Sequence, residues 1–133
     1  MSSPAEQPSP LRVLLVEDYQ DLAEVTAEFL EREGFEVRIA LTGAEALQIA
    51  SAYQPHLLLC DLNLPDTSGL DVVRELRSSP STERTYAVIL TAMAKTKADL
   101  PGVDAVIAKP ITVEAIRTLI DGVRGRYRST YRT

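Results

Sequence analysis

The sequence predicts an α/β fold, a doubly wound five-stranded parallel sheet, and three observations predict it. Short apolar runs alternate with helical patterns along the chain, the signature of a β–α repeat with right-handed crossovers. The runs are continuous rather than alternating, as in strands buried on both faces. Polar residues capable of chemistry stand directly after four of them: Glu17 and Asp18 after Leu11–Val16, Asp61 after His56–Cys60, Thr91 after Tyr86–Leu90, and Lys109 after Ala105–Ala108. In a parallel sheet these positions share the carboxyl edge, where open α/β sheets bind their ligands.

Leu11–Val16 is the first strand. Asp21 with Glu24 reads as a capping box opening a helix in which Leu22, Val25, Phe29 and Leu30 recur at helical spacing until Gly34 stops it. Glu36–Ala40 is the second strand. Thr42 with Glu45 opens a helix to about Ala52, with Pro55 beyond it. His56–Cys60 is the most apolar strand and is placed centrally. Ser68 and Asp71 open a third helix with Leu70, Val73 and Leu76 inward. Tyr86–Leu90 and Ala105–Ala108 are the last two strands. Between them Met93–Val103 has room only for a shortened fourth helix: Ala92–Ala98 supplies two turns at most before Leu100-Pro101-Gly102 breaks them. Thr112 caps the last helix, whose stripe is Val113, Ile116, Leu119, Ile120 and Val123. Residues 1–10 are polar and proline-rich and are expected to be disordered, 11–124 form the domain, and 125–133 are a basic polar tail expected to fray.

A length of 133 residues fits one domain with a real core, and 45% apolar with 25% charged residues is ordinary for a globular protein. A net charge of −5 argues against nucleic-acid binding through the domain body. A single cysteine excludes an internal disulfide and fits a reducing compartment. No apolar run approaches the roughly 20 residues that span a bilayer, and the N-terminus does not read as a signal peptide, so a cytoplasmic location without a membrane partner is expected.

Three carboxylates at one edge repel one another unless a cation lies between them. Hard oxygen ligands point to Mg²⁺, with Asp18 binding directly, Glu17 through water, Asp61 as a third ligand and Asn63 through its backbone carbonyl. Aspartate beside a divalent cation attacks phosphorus to give an acyl phosphate, which makes Asp61 the candidate nucleophile. Thr91 is placed to hydrogen-bond a phosphoryl oxygen and Lys109 to pair with another; phosphoryl transfer needs little more than positioning and charge. Taken singly, a strand-end Asp is a turn residue or cap, and Thr91 and Lys109 are surface residues. Their joint placement carries the functional reading. Cys60 reads as buried packing and His56 as structural. Arg124, Arg126, Arg128 and Arg132 with Tyr127 and Tyr131 read as a solvated tail, the alternative being contact with nucleic acid or an acidic partner.

Over about Leu11–Val123 the chain resembles the response-regulator receiver domains of two-component signalling. The motifs are VLLVED at Val13–Asp18, LLLCDLNLPDTSGLDVV at Leu57–Val73, VILTA at Val88–Ala92 and AKP at Ala108–Pro110. The resemblance implies a flavodoxin-like sheet in the order 2-1-3-4-5, and phosphorylation of Asp61 by a histidine kinase or phosphotransfer domain with Mg²⁺. It implies a change in binding to an output protein, and a Lys109–Pro110 bond of the kind commonly cis in the family. The domain is then no enzyme in its own right, assisting only phosphoryl transfer to Asp61 and hydrolysis from it. Two departures stand out. Val106 occupies the position where the family has a Tyr or Phe switch, and Thr91 to Lys109 spans only 18 residues, shorter than usual. Signalling without the aromatic switch, through a local change in Ala92–Val103, is therefore expected. No DNA-binding or catalytic output domain is expected in the residues after Val123; a stand-alone regulator, a part of a hybrid kinase and a homodimer all stay open.

Competing readings are weaker. A haloacid-dehalogenase-like phosphatase wants an acid two positions after the nucleophile, where this chain has Asn63. An FMN carrier wants a phosphate loop after the first strand, and none follows Val16. A degenerate receiver acting as a scaffold would not keep the full acid set with Thr91 and Lys109.

Overall fold

The computed structural model describes Pro10–Tyr131, so the expectation of disorder for the N-terminal segment falls on Met1–Ser9, outside the described residues. The elements run β1 (Arg12–Val16), α1 (Gln20–Arg32), β2 (Glu36–Ala40), α2 (Gly43–Tyr53), β3 (Leu57–Asp61), α3 (Gly69–Arg77), β4 (Tyr86–Thr91), β5 (Ala105–Ala108) and α4 (Val113–Tyr131). The strands form one sheet in the order β2-β1-β3-β4-β5, and every pairing is parallel.

Alternation within the apolar strands divides the core into two layers. Leu14, Val16, Leu58, Cys60, Ala87 and Ile89 pack under α2 and α3 with Ala46, Ala50, Val72, Val73 and Leu76. Val13, Leu15, Leu57, Leu59, Val88 and Leu90 pack under α1 and α4 with Ala23, Ala27, Leu30, Ile116, Leu119, Ile120 and Val123. The caps expected at Thr42, Ser68 and Thr112 form: their hydroxyl oxygens accept from Glu45 N (3.1 Å), Leu70 N (3.1 Å) and Ala115 N (3.1 Å). The Glu45 side chain reaches back to Leu41 N at 2.8 Å, one residue further than a capping box requires.

Three local expectations are corrected. Helix α1 starts at Gln20 with Tyr19 as a cap that makes no side-chain bond, and Asp21 lies inside the first turn. The helix consequently rests on Ala23, Thr26, Ala27 and Leu30, whose small members allow close approach to the sheet, and it leaves Leu22 and Val25 outward at 37% and 67% exposure. Between β4 and β5 the shortened helix is reduced to a 3₁₀ turn at Lys97–Asp99, closed by reciprocal Thr96 and Asp99 hydrogen bonds. Leu100 and Val103 plug the α3-side core there, leaving no chain for a longer helix before β5. Finally, α4 continues past Val123 to Tyr131. Three of the residues expected to be solvated touch the domain body: Arg124 stacks on Phe35, Arg126 donates to Arg84 O (3.0 Å), and Tyr127 Oη shares its proton between His56 O (2.9 Å) and Arg84 O (3.0 Å), whereas the side chains of Arg128 and Tyr131 and all of Arg132 lie outside the described residues.

Candidate functional site

Parallel register brings the ends of β1, β3, β4 and β5 level. Val16 pairs with Cys60, Asp61 with Leu90, and Thr91 with Ala108, so the residues that follow each strand meet at one edge. Carboxylate oxygens of Glu17, Asp18 and Asp61 all lie within 4.8 Å of one another. Glu17 and Asp61 are buried and Asp18 is exposed. Lys109 reaches in from β5 and donates from Nζ to Asp61 Oδ2 at 2.6 Å and to Glu17 Oε2 at 3.1 Å. The Lys109–Pro110 peptide is cis. Thr91 is 1% exposed, and its Oγ1 accepts from Met93 N at 3.0 Å, which leaves the hydroxyl proton as the group's donor. Asn63 lies in the β3–α3 loop, with its N–H 3.4 Å from Asp61 Oδ1.

Gly69 allows this crowding. A Cβ there would stand 2.3 Å from Asp61 O, so only glycine lets α3 begin against the end of β3. The charges are tuned by their surroundings. Burial raises the Glu17 carboxyl above its ordinary value against the pull of Lys109, and the Asp61 carboxylate pushes the same way. For Lys109 burial opposes the charge, yet hydrogen bonds to Asp61 and Glu17 prevail and carry its ammonium upward. Cys60, next to Asp61, is buried; burial and then the Asp61 and Glu17 charges raise its thiol, so it stays protonated and packs as an apolar group. An all-oxygen donor set of three carboxylates, with a lysine ready to pair with a second anion, fits a hard divalent cation of the Mg²⁺ kind.

All five residues taken from strand ends converge here. Val106 stands away from them, half-buried against the α2 and α3 core. Sequence reasoning overlooked two groups that shape the neighbourhood. Asp66, in the β3–α3 loop, accepts from Gly43 N (2.8 Å) and Ala44 N (2.9 Å) at the start of α2. Arg77, at the end of α3, donates to the carbonyls of Gly102, Glu83 and Thr85 and to Asp104 Oδ2. An Asp after Pro65 is the composition of an ordinary turn, and nothing in the spacing of Arg77 marks it.

Comparison with known proteins agrees with this geometry. The chain is 38% identical over 120 residues to the aerobic respiration control sensor protein ArcB of Escherichia coli (strain K12), covering 86% of this chain but only 15% of ArcB. It is 32% identical over 108 residues to the polar-differentiation response regulator DivK of Brucella anthropi, covering 78% of this chain and 88% of DivK. The response regulator TrrA of Thermotoga maritima, solved in complex with Mg²⁺-BeF, superimposes with a TM-score of 0.76 at 27% identity, covering 85% of this chain and 98% of TrrA. Nothing in these likenesses favours the phosphatase, the FMN carrier or the bare scaffold. No helix among the described residues is long and apolar enough to cross a membrane. With residues 13–121 matched by the response regulator receiver domain model, this chain belongs to the receiver-domain family of two-component response regulators.

Proposed function

We propose that Asp61 accepts a phosphoryl group from a phosphohistidine donor, with Mg²⁺ held by Glu17, Asp18, Asp61 and the Asn63 carbonyl. The observation that carries this reading is the Lys109 ammonium, which crosses from β5 to touch both Asp61 and Glu17. The Asp61 carboxylate forms the new P–O bond as the P–N bond to the donor breaks, and the electron pair returns to the donor imidazole. Bound Mg²⁺ supplies charge neutralisation between the carboxylates and the incoming phosphoryl oxygens. Lys109 transfers its contact from Asp61 to one phosphoryl oxygen, and Thr91 donates its proton to another. Hydrolysis of the acyl phosphate from Asp61 restores the carboxylate, so the domain acts chemically on itself alone.

The donor side fits a helical, apolar-faced partner in the cytoplasm. Leu22, Val25, Phe29, Ile111, Val113 and Ile116 line a groove of about 280 Å³ that ends at Lys109. Leu22, Val25 and Val113, outward rather than in the core, give such a partner its apolar contacts beside the acceptor. The test is phosphorylation by acetyl phosphate with Mg²⁺, read by intact mass. One phosphoryl group is expected on the wild type and none on Asp61→Asn or in excess chelator. Equal labelling of Asp61→Asn would overturn the assignment.

A further inference from the structure

The loop that follows Asp61 is tied down more thoroughly than its exposure would suggest. Leu64 N donates to Thr67 O at 3.1 Å, Gly69 N to Leu62 O at 2.7 Å, and Asn63 pairs with Ser68 as an isolated antiparallel bridge. Asp66 sits at the tip, and its two carboxylate oxygens accept from two successive amides of another element, Gly43 N at 2.8 Å and Ala44 N at 2.9 Å. Both amides belong to the first turn of α2, where backbone N–H groups have no partner within the helix and the helix dipole favours an anion. The next amide, Glu45 N, is already served by α2's own cap, Thr42.

Gly43 makes the closure sterically possible. A Cβ at that position would stand 2.3 Å from Thr67 Cγ2, 3.2 Å from Val72 Cγ2 and 3.4 Å from Asp66 Oδ1. The loop is therefore pressed on the start of α2 as well as bonded to it. Charge-assisted bonds made by both carboxylate oxygens fix orientation as well as distance. The end of β2 that leads into α2 is joined to the acidic pocket, since Glu17 N donates to Ala40 O at 3.0 Å. Asp66 thus links the loop carrying Asn63 to an element anchored beside Glu17.

We infer that Asp66 is a positioning residue for the metal ion: by clamping the β3–α3 loop to the first turn of α2 it holds the Asn63 carbonyl at the acidic pocket. The inference rests on the proposed Mg²⁺ site. Outer partners that orient a ligand shift metal affinity by about ten- to a hundredfold when removed. The lower figure applies here, because one ligand of several is affected.

The experiment is calorimetric titration of Mg²⁺ into the full chain, with thermal unfolding of each variant alongside. Asp66→Ala is expected to bind Mg²⁺ about tenfold more weakly than wild type. Thr42→Ala removes the other cap of the same helix terminus without touching the loop; it is expected to lower Tm and keep wild-type affinity. Asp66→Asn gives up the charge but keeps an acceptor for one amide, and is expected to recover part of the affinity lost in the alanine variant. Wild-type affinity in Asp66→Ala would overturn the inference. So would an equal loss in Thr42→Ala, which would mark helix stability as the cause, or an equal loss in Asp66→Asn, which would mark the bare charge. Asp18→Asn separates the two readings: wild-type affinity there would sink the metal site itself, whereas loss there with no effect of Asp66 would sink only the clamp.

Discussion

After β3 the chain closes at once into the Leu62–Ser68 loop, stitched by backbone bonds, clamped through Asp66 and wedged by Gly69 against Asp61 O. After β4 the chain leaves Thr91 and runs exposed from Ala92 to Asp99, with a single self-contained 3₁₀ turn, before Leu100 returns to the core. The first region holds the chain just after Asp61 in fixed relation to it, as the proposed metal site and in-line displacement would require. The second is anchored only at its ends, by Thr91 on one side and by Leu100, Val103 and the Arg77 network on the other. The same edge of one sheet therefore combines a firmly held loop after Asp61 with a loosely held segment after Thr91. The looseness has a local cause, since a segment with few buried contacts opens at little cost.

The contrast can be broken most strongly at Arg77. Its guanidinium serves three carbonyls, and Asp104 loses with it the nearer of two arginines, keeping Arg126 at 3.6 Å and the Ala87 amide. Arg77→Ala is expected to cost about 3 kcal/mol in urea unfolding and to free the whole Ala92–Asp104 segment, erasing its distal anchor. A loss near zero would show that Leu100 and Val103 suffice.

On the rigid side, Gly69→Ala places a methyl against Asp61 O and is expected to cost about 2 kcal/mol while displacing Asp61. The accompanying check is acetyl-phosphate labelling, which is expected to slow more than folding alone explains. Labelling at the wild-type rate in the folded variant would mean the loop tolerates the shift.

His56, at the opposite end of β3, supplies a remote reference. Its Nδ1 accepts from Arg12 N at 2.9 Å, and burial, then Arg12, hold its pKa down to about 4 from 6.5. The neutral form is favoured by folding, so the unfolded chain takes up the proton first. The contribution is full above pH 6.5 and is lost as pH falls toward 4, on the order of 1 kcal/mol after solvent screening. Stability of His56→Asn is expected to vary less than wild type over that window. An unchanged slope would remove His56 from the account.

The smallest free energies belong to the Ala92–Asp99 segment itself. Hydrogen exchange with and without Mg²⁺ and beryllofluoride is expected to alter protection at Ala92–Asp99 and leave Leu62–Ser68 unchanged. Changes confined to α1 and α4 would refute a role for this segment.

The fold was legible because β1, β3 and β4 are too continuously apolar to be anything but central strands. The site was legible because its chemistry stands at, or just beyond, the carboxyl ends of those strands. What escaped has physical causes. Ala23 and Ala27 carry little hydrophobic signal, yet they set which face of α1 meets the sheet, and the helical spacing of Leu22 and Val25 does not reveal that both face outward. Arg124 and Arg126 of α4 looked solvated by composition, but their guanidinium groups find rings and carbonyls that only the folded chain provides. Asp66 and Arg77 bond to backbone atoms of distant elements, and backbone partners leave no trace in residue identity.

Lys109 changes what the metal-free protein is. With Nζ between Asp61 and Glu17, the pocket already contains its own monovalent counter-ion, tethered to β5. A divalent ion entering there would compete with an ammonium rather than fill a wholly repulsive void, since one positive charge already offsets part of that of the three carboxylates. The affinity measured for Mg²⁺ is accordingly a difference between two cations, and replacing Lys109 by methionine is expected to tighten it even as the partner for the phosphoryl group is lost.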